Sequence, residues 1–204
     1  MQRNGRACRT LHACVTQRTL GLTKPVRPGL IPVAMRVAIL TISTAGARGE
    51  RADTSGDAIV TWAKKRKHSV VARELVSDDV NAIVRTLLPW CDDGAADLVL
   101  TTGGTGLSPT DVTPEATRVV IERDAPGISE WLRMSAVKNV PTTVLSRGIS
   151  GTRGRTLIVN LPGSPGGVTD SLAALEKVVD HAVSVLRGEV ADHSKGKKGK
   201  RSRR

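Results

Sequence analysis

Short apolar runs alternate with helix-like patterns along the middle of the chain. VAILTIS (37–43) has the form expected of a parallel strand covered on both faces, and HSVVARELV (68–76), DLVLTT (97–102) and TLIVNLPG (156–163) predict three further strands. Between these runs, apolar residues recur every three or four positions, which is the period of an amphipathic helix. Strands that alternate with helices predict βαβ units, so we expect an α/β fold: a three-layer α/β/α sandwich around a mainly parallel sheet.

The clearest helical pattern in the first half of the chain follows the second predicted strand. Its apolar set lies at positions i, i+3, i+4, i+7, i+8 and i+11, namely Val80, Ile83, Val84, Leu87, Leu88 and Cys91. Asp78 or Asp79 can cap this helix. DAIVTWAKKRK predicts an earlier helix, and Thr113 followed by Pro114 indicates the start of a later one.

The second half of the chain predicts two further helices and contains one ambiguous segment. PGISEWLRMSAVKN is expected to be helical with an inward face, which comprises Ile128, Trp131, Leu132 and Ala136. PTTVLSRGISGTRGR fits helix, strand and loop equally. From Pro165 to about Arg187 the periodicity predicts one continuous helix, with Gly188 as its stop.

Positive charge is concentrated at the two ends of the chain. The formal net charge of the 204 residues is +12, yet residues 1–35 hold six Lys/Arg and no acid, and 195–204 hold seven and no acid. Removing those 13 leaves 18 basic and 19 acidic residues in 36–194, a net charge of −1. We therefore expect one near-neutral domain over 35–190.

The two basic ends are predicted to be poorly structured. We interpret 1–34 as a basic extension that is non-native or results from a mis-assigned start, and 191–204 as a disordered tail. A solubilising role is favoured for the tail, and contact with an acidic partner or RNA is the alternative.

The composition argues against nucleic-acid and membrane partners and indicates a reducing compartment. There is no Phe or Tyr and there are three Trp, so platforms for stacking bases are scarce and we expect no specific nucleic acid. No apolar run is long enough to span a bilayer, so we expect no membrane association. The three cysteines form no paired framework, which is typical of a reducing compartment and predicts a cytoplasmic protein.

Three predicted strands end in unusual loops: TISTAGARG, TTGGTGLSPTD and NLPGSPGG. Ligands of parallel α/β sheets gather at the carboxyl ends of strands, so the three loops point to one site. In the second loop, Gly103, Gly104 and Gly106 allow main-chain N–H groups to form an anion nest, to which threonine hydroxyls add donors. A plain glycine-rich turn is the alternative, since the loop is neither a Walker A motif nor G-x-G-x-x-G.

Asp111 follows this anion-binding loop closely. Two like unit charges repel by about 4 kcal/mol at about 4 Å and an effective dielectric constant of about 20, so a phosphate and Asp111 would need a cation between them. Mg²⁺ prefers one or two carboxylates plus phosphate oxygens, and Asp78 could be the second carboxylate. The set suits phosphoryl or nucleotidyl transfer. As alternatives, Asp78 only caps a helix and Asp111 only holds its own turn.

Two long motifs resemble those of the MogA/MoaB family of molybdenum-cofactor biosynthesis proteins. They are LVLTTGGTGLSPTDVTPEAT and SRGISGTRGRTLIVNLPGSP, and the similarity runs from about Arg36 to Gly188. The resemblance implies a molybdopterin-binding fold, a homotrimer, and Mg²⁺-dependent transfer of AMP from ATP to the phosphate of molybdopterin. It also implies a molybdenum-insertion protein as a partner. A non-catalytic, molybdopterin-binding scaffold of the MoaB type is the alternative.

The same resemblance assigns roles to individual residues. Asp111 and Asp78 would be catalytic and would hold the Mg²⁺, and Ser43 and Asp53 would lie on the nucleotide side. The substrate-binding set would be Thr102, Gly103, Gly104, Thr105, Gly106, Ser108, Ser146, Pro162, Gly163 and Ser164. One position departs from the family, because Thr44 stands where an aspartate is common.

Overall fold

The computed structural model describes residues 34–189, which form a six-stranded sheet with helices on both faces. The strands are β1 (Arg36–Ile42), β2 (Ser69–Val76), β3 (Leu98–Thr102), β4 (Arg123–Asp124), β5 (Ser150–Arg153) and β6 (Thr156–Leu161). Their order across the sheet is β2-β1-β3-β6-β5-β4. The first four of these are parallel, and β5 and β4 continue the sheet in antiparallel fashion. The predicted mainly parallel sheet is confirmed.

The helices cover the two faces of the sheet unequally. They are α1 (Thr44–Ala47), α2 (Thr54–Lys65), α3 (Val80–Asp92), α4 (Thr113–Val120), α5 (Pro126–Ala136), α6 (Pro165–Leu175) and α7 (Val179–Arg187). Apolar residues of α2, α5, α6 and α7 pack in one cluster with one face of the sheet, and those of α3 and α4 pack in a second cluster with the other. The three-layer sandwich is therefore confirmed.

Alternate residues of the central strand supply both clusters. Val37 and Ile39 of β1 belong to the cluster of α2 and α6, whereas Ala38 and Leu40 belong to the cluster of α3 and α4. All four are fully buried, because successive side chains of a strand point to opposite faces. This is why the strand is a continuous apolar run and lacks polar alternation.

The structure resolves the ambiguous segment after α5. Pro141–Leu145 is a short 3₁₀ helix, and an extended loop leads from it into β5. β5 pairs with β6 through a tight turn in which Gly154 has a φ of +54°. The sequence was ambiguous here because β5 is short and close to the edge of the sheet, so it carries little apolar periodicity.

Several helix boundaries differ from their predicted positions. The predicted single helix after Pro165 is wrong: α6 ends at Leu175, and α7 begins at Val179 after a turn closed by hydrogen bonds from Lys177 to Ala174 and from Val178 to Leu175. The periodicity continues through the break because both helices pack against the same face of the sheet. Gly188 stops α7 in the left-handed conformation, as predicted.

Side-chain caps and exposure explain the remaining differences. α2 begins at Thr54, earlier than predicted, because the Asp53 carboxylate caps it by accepting the N–H of Gly56. α3 is capped by Asp79 and not by Asp78. Trp131 of α5 was expected to face inward but is 40% exposed, and its ring donates a hydrogen bond to the carbonyl of Ala174.

The predictions for the basic extension 1–34 and the tail 191–204 fall, apart from Ala34, outside the described residues. Over 34–189, none of the helices has the length and apolar content needed to cross a bilayer. Cys91 is buried and free, and its burial raises the pKa of the thiol to about 11.

Candidate functional site

The three unusual loops meet at one edge of the sheet. In the register of the parallel strands, Thr41 of β1 pairs with Thr102 of β3, and Thr102 pairs with Leu161 of β6. The buried hydroxyl of Thr102 donates to the carbonyl of Pro162 at 2.7 Å. A Cβ added at Gly163 would lie 3.2 Å from the Cα of Gly103, so the loops after β3 and β6 touch through bare main chain.

Two glycines shape the loop after β3 (residues 103–112). Gly103 and Gly104 have φ values of +98° and +60°, a region that side chains disfavour. A Cβ on Gly103 would overlap the carbonyl oxygen of Ile42 in the neighbouring strand. Thr113 fastens the turn, because its N–H donates to the carbonyl of Gly104 and its hydroxyl to that of Gly103.

Two cavities open at this edge and share a wall. The large cavity has a volume of about 630 Å³ and the small cavity about 340 Å³. Three residues line both of them: Gly104, Gly163 and Ser164. Of the predicted site residues, the large cavity also holds Thr105, Gly106, Asp111, Ser146 and Pro162. The small cavity also holds Ser43, Asp53, Asp78 and Gly103.

Two predicted substrate-binding residues lie outside both cavities. Thr102 is fully buried, and its hydroxyl donates the hydrogen bond that joins the loops after β3 and β6. Ser108 is exposed, and its hydroxyl shares a hydrogen bond with that of Thr110. The structure thus gives these two side chains a role in loop shape.

The N-terminus of α6 faces the large cavity. Ser164 caps the helix by accepting the N–H of Gly167, and Pro165 at the first helical position needs no partner for a donor. Gly166 and Gly167 line the cavity without side chains. Pro165 has no N–H and Gly167 donates its own to Ser164, so the Gly166 N–H and the positive partial charge of the helix end are what this side of the cavity offers an anion.

Asp111 is held in place by its own turn and by Arg147. One carboxylate oxygen, Oδ2, accepts the N–H of Ser108 at 3.0 Å. The Arg147 guanidinium donates to the carbonyls of Gly106 and Asp111 and pairs with Glu115 of α4. Arg147 is therefore committed to the loop.

Asp78 is held by the loop that follows β1. Its Oδ2 accepts both the N–H and the hydroxyl of Thr44, at 2.8 and 2.7 Å. Its Oδ1 points toward Gly104, because a Cβ built on that glycine would lie 3.1 Å away from it. Gly104 thus stands between Asp78 in the small cavity and Asp111 in the large one.

Both carboxylates suit a metal ion that is shared with a ligand. Among residues 34–189, neither Oδ1 of Asp78 nor Oδ1 of Asp111 takes part in a hydrogen bond, so each retains a free lone-pair oxygen. In the same range, no three His, Cys, Asp or Glu side chains gather into a ready metal site. Mg²⁺ commonly binds one or two carboxylates and takes its other ligands from water and substrate phosphates, so the residues fit it.

Asp53 lies in the wall of the small cavity as a fixed anion. Burial alone would raise the pKa of this carboxyl, but hydrogen bonds from Arg73, the N–H of Gly56 and the hydroxyl of Thr41 outweigh burial and lower it. Arg73 pairs with Asp53 at 2.8 Å. The resulting ion pair anchors the start of α2 against β2.

Sequence reasoning missed the far wall of the large cavity, which α5 and the 3₁₀ helix supply. The polar lining of this wall includes Arg133 and Thr142, and Asn160 of β6 lines the same cavity. Asn160 is buried, and its amide donates to the hydroxyls of Thr101 and Thr117. An asparagine within the apolar run TLIVNLPG was the available signal; Arg133 and Thr142 gave none.

Two further arginines near β5, Arg153 and Arg155, lie away from both cavities. Arg153 pairs with Asp92 of α3. Arg155 lines a separate cavity with Arg36 and Arg187, beside the amino ends of the strands. Neither residue belongs to the candidate site.

Comparisons with known proteins agree with this geometry. Residues 38–181 match the family described as "Probable molybdopterin binding domain". A molybdopterin adenylyltransferase of Helicobacter pylori is 36% identical over 156 residues, which are 76% of this chain and 89% of that protein. One of Escherichia coli is 34% identical over 73% of this chain and 77% of its own length.

A solved structure of a molybdopterin biosynthesis enzyme, MoaB of Thermus thermophilus, is 48% identical to this chain. It superposes with a TM-score of 0.72 and covers 76% of this chain and 97% of its own. The family match spans most of the chain and includes all three loops of the site. The chain therefore belongs to the molybdopterin-binding family of molybdenum-cofactor biosynthesis proteins.

Proposed function

We propose that the protein is a molybdopterin adenylyltransferase, which transfers AMP from ATP to the phosphate of molybdopterin. The observation that carries this proposal is the pair of cavities with a shared wall of Gly104, Gly163 and Ser164, with Asp111 in the lining of the large cavity and Asp78 in that of the small one. The two cavities adjoin at these residues, so two substrates, one bound in each cavity, can bring their phosphates together there. The names of the relatives support the same reaction.

The large cavity suits the pterin and the small one the nucleotide. A volume of about 630 Å³ lies in the range of small-molecule sites, and the wall from Leu132, Val140 and Leu145 is apolar enough to cover a flat ring. The N-terminus of α6 and the nest around Gly104 would hold the terminal phosphate of molybdopterin. Ser43, Asp53 and Gly103 line the side proposed for ATP.

The reaction needs no nucleophile from the protein. A phosphate oxygen of molybdopterin attacks the α-phosphorus of ATP, the bond from that phosphorus to the β-phosphate oxygen breaks, and pyrophosphate leaves with the electron pair. Main-chain N–H groups and the two carboxylates position the reacting groups, which accounts for most of the catalysis in phosphoryl transfer.

Asp78 and Asp111 would hold Mg²⁺ between them and the phosphates. When bound, the ion supplies positive charge, which offsets the electrostatic repulsion between the phosphates and the carboxylates. Each carboxylate offers its Oδ1 for this role while its Oδ2 stays in a hydrogen bond to the protein.

The direct test is incubation of the protein with molybdopterin, ATP and Mg²⁺. Adenylylated molybdopterin and pyrophosphate should appear in equal amounts, and EDTA should stop their formation. Binding of molybdopterin without any product would leave the non-catalytic scaffold as the function.

Asp111→Asn separates the enzyme from the scaffold. The variant should lose at least about a hundredfold in turnover while it still binds molybdopterin, since the amide keeps the shape of the carboxylate but cannot serve as an anionic metal ligand. Asp93→Asn, at the exposed end of α3, is the matched control and should retain full turnover. Equal activity of both variants would contradict a catalytic role for Asp111.

The surrounding assembly is part of the same proposal. We expect a homotrimer in the cytoplasm, with a molybdenum-insertion protein as the partner that receives the product. Light scattering coupled to size-exclusion chromatography would report a mass three times the 21.6 kDa of the chain. A monomeric mass at micromolar concentration would contradict the trimer.

A further inference from the structure

We infer that Thr44 is the positioning residue for Asp78, and that it keeps the Oδ1 atom of that carboxylate directed at the metal and phosphates; this inference rests on the proposed function. Thr44 begins α1 directly after β1, and Asp78 follows β2, the neighbouring strand. The two residues are 34 positions apart and meet only because β1 and β2 are paired.

Three hydrogen bonds join the two residues. The N–H and the hydroxyl of Thr44 both donate to Oδ2 of Asp78, at 2.8 and 2.7 Å. In return the N–H of Asp78 donates to the Thr44 hydroxyl oxygen at 3.2 Å. The hydroxyl therefore acts as donor and acceptor at once, and its direction is determined by the same partner on both counts.

The two hydrogen bonds to Oδ2 of Asp78 determine the direction of its Oδ1. With two donors on one oxygen, the carboxylate plane is set, and the other oxygen is directed toward Gly104 and the small cavity. Thr44 itself does not line either cavity. It can thus affect ligands only through Asp78.

Hydrogen bonds of the preceding residue, Ser43, fix the backbone around Thr44. The N–H of Ser43 donates to the carbonyl of Val76 at 2.9 Å, which ties the end of β1 to the end of β2. The Ser43 hydroxyl accepts the N–H of Gly46 at 3.1 Å and so holds the turn of α1. A rigid seat is what a group that orients a metal ligand requires.

The test compares Thr44→Val, which removes the hydroxyl, with Thr44→Ser, which keeps it. Loss of an orienting partner typically costs a metal site about 10–100-fold in affinity or activity. We expect Thr44→Val to raise the half-saturating Mg²⁺ concentration about tenfold without a change in the KM for molybdopterin. Thr44→Ser should stay within about twofold of the unchanged protein. Thr61→Val, which removes an exposed hydroxyl on α2, is the matched control.

A binding measurement gives a readout that does not depend on turnover. Mn²⁺ affinity in the presence of ATP, measured by calorimetry, should fall about tenfold in Thr44→Val. In the Asp78→Asn background the same change should have no further effect, because a residue that acts through Asp78 has nothing left to orient. Additive losses in the two variants would overturn the inference.

The outcomes separate this inference from the proposed function. Absence of product from the unchanged protein would refute the adenylyl transfer. The double-mutant cycle of Mn²⁺ affinities at Thr44 and Asp78 would still decide the role of Thr44. Product formation with the same Mg²⁺ requirement in Thr44→Val would refute Thr44 alone. If Thr44→Val fails to fold, as judged by thermal unfolding, Thr44→Ala takes its place in the cycle.

Discussion

Asp97, far from the candidate site, is the most strongly paired carboxylate on the amino side of the sheet. Arg36 donates to it from the main chain and from its guanidinium, and Arg187 of α7 donates to it at 2.7 Å. Burial would raise the pKa of Asp97, but the hydrogen bonds from Arg36 and Arg187 outweigh burial and hold it far below its usual range. This carboxylate joins the starts of β1 and β3 to the last helix.

A stability change of known sign follows at Asp97. Since its folded-state pKa is depressed, the stabilisation is complete above the unfolded-state pKa of about 3.9 and is lost as pH falls toward the folded-state value. Asp97→Asn should lower the free energy of unfolding by about 2–3 kcal/mol at pH 7, because Arg36 and Arg187 lose a charged acceptor and one of its two oxygens. Urea unfolding at pH 7 and at pH 3 measures both effects.

The pH comparison provides the control. The difference between Asp97→Asn and the unchanged protein should shrink at pH 3, because the Asp97 carboxyl is by then largely protonated in the unfolded chain but still ionised in the folded one. Asp93→Asn, an exposed change of the same charge, should alter stability by less than about 0.5 kcal/mol at either pH. An equal loss in the two variants would show that charge alone, and not the pairing of Asp97, matters.

At the scale of elements, Arg147 fastens the loop after β3. Its main-chain N–H donates to the carbonyl of Thr105, and its guanidinium reaches the carbonyls of Gly106 and Asp111. Arg147→Ala should therefore loosen residues 103–112 and lower kcat/KM about 10–100-fold with the rest of the fold intact. Amide exchange of this loop and steady-state kinetics measure the two effects.

Glu115→Gln isolates the contribution of the ion pair. This change removes only the exposed partner of Arg147 on α4 and leaves the hydrogen bonds to the loop in place. Exposed ion pairs contribute about 0–1 kcal/mol, so this variant should resemble the unchanged protein. A loss as large as that of Arg147→Ala would mean that the loop is held through α4 and not by the arginine's hydrogen bonds.

Local signals in the sequence were sufficient for most of the parallel sheet and for the three loops. The apolar runs of β1, β3 and β6 are buried on both faces, so hydrophobicity alone marks these strands, and glycine marks the turn where Gly103 needs a positive φ. The break between α6 and α7 left no local trace, since the apolar period continues through it. The bond from Thr44 to Asp78 could not be predicted either, because strand pairing creates it across 34 residues.

At the scale of the whole molecule, the net positive charge lies in the two ends of the sequence, since residues 36–194 carry a net charge of −1. Residues 195–204 carry seven Lys/Arg and no acid. Deletion of this segment should abolish low-salt binding to RNA or another polyanion, because such binding comes from counterion release and scales with the number of cations. Adenylyl transfer should be unchanged. Filter binding at several salt concentrations and the product assay test the two halves.

A tail with its basic residues replaced by glutamine controls for length. It should behave like the deletion in polyanion binding and like the full chain in catalysis. Persistent, salt-sensitive RNA binding by both variants would place the polyanion surface elsewhere, with the amino-terminal 35 residues and their six Lys/Arg as the next candidate.

The common wall of Gly104, Gly163 and Ser164 has a consequence for inhibition. If the pterin binds in the large cavity and ATP in the small one, as proposed, the adenylylated pterin would occupy both cavities, whereas each starting compound would occupy only one. The adenylylated product should accordingly compete with either starting compound and hold more tightly than each of them. Release of the adenylylated product would then be slow, and turnover would be fastest when a downstream protein accepts that product.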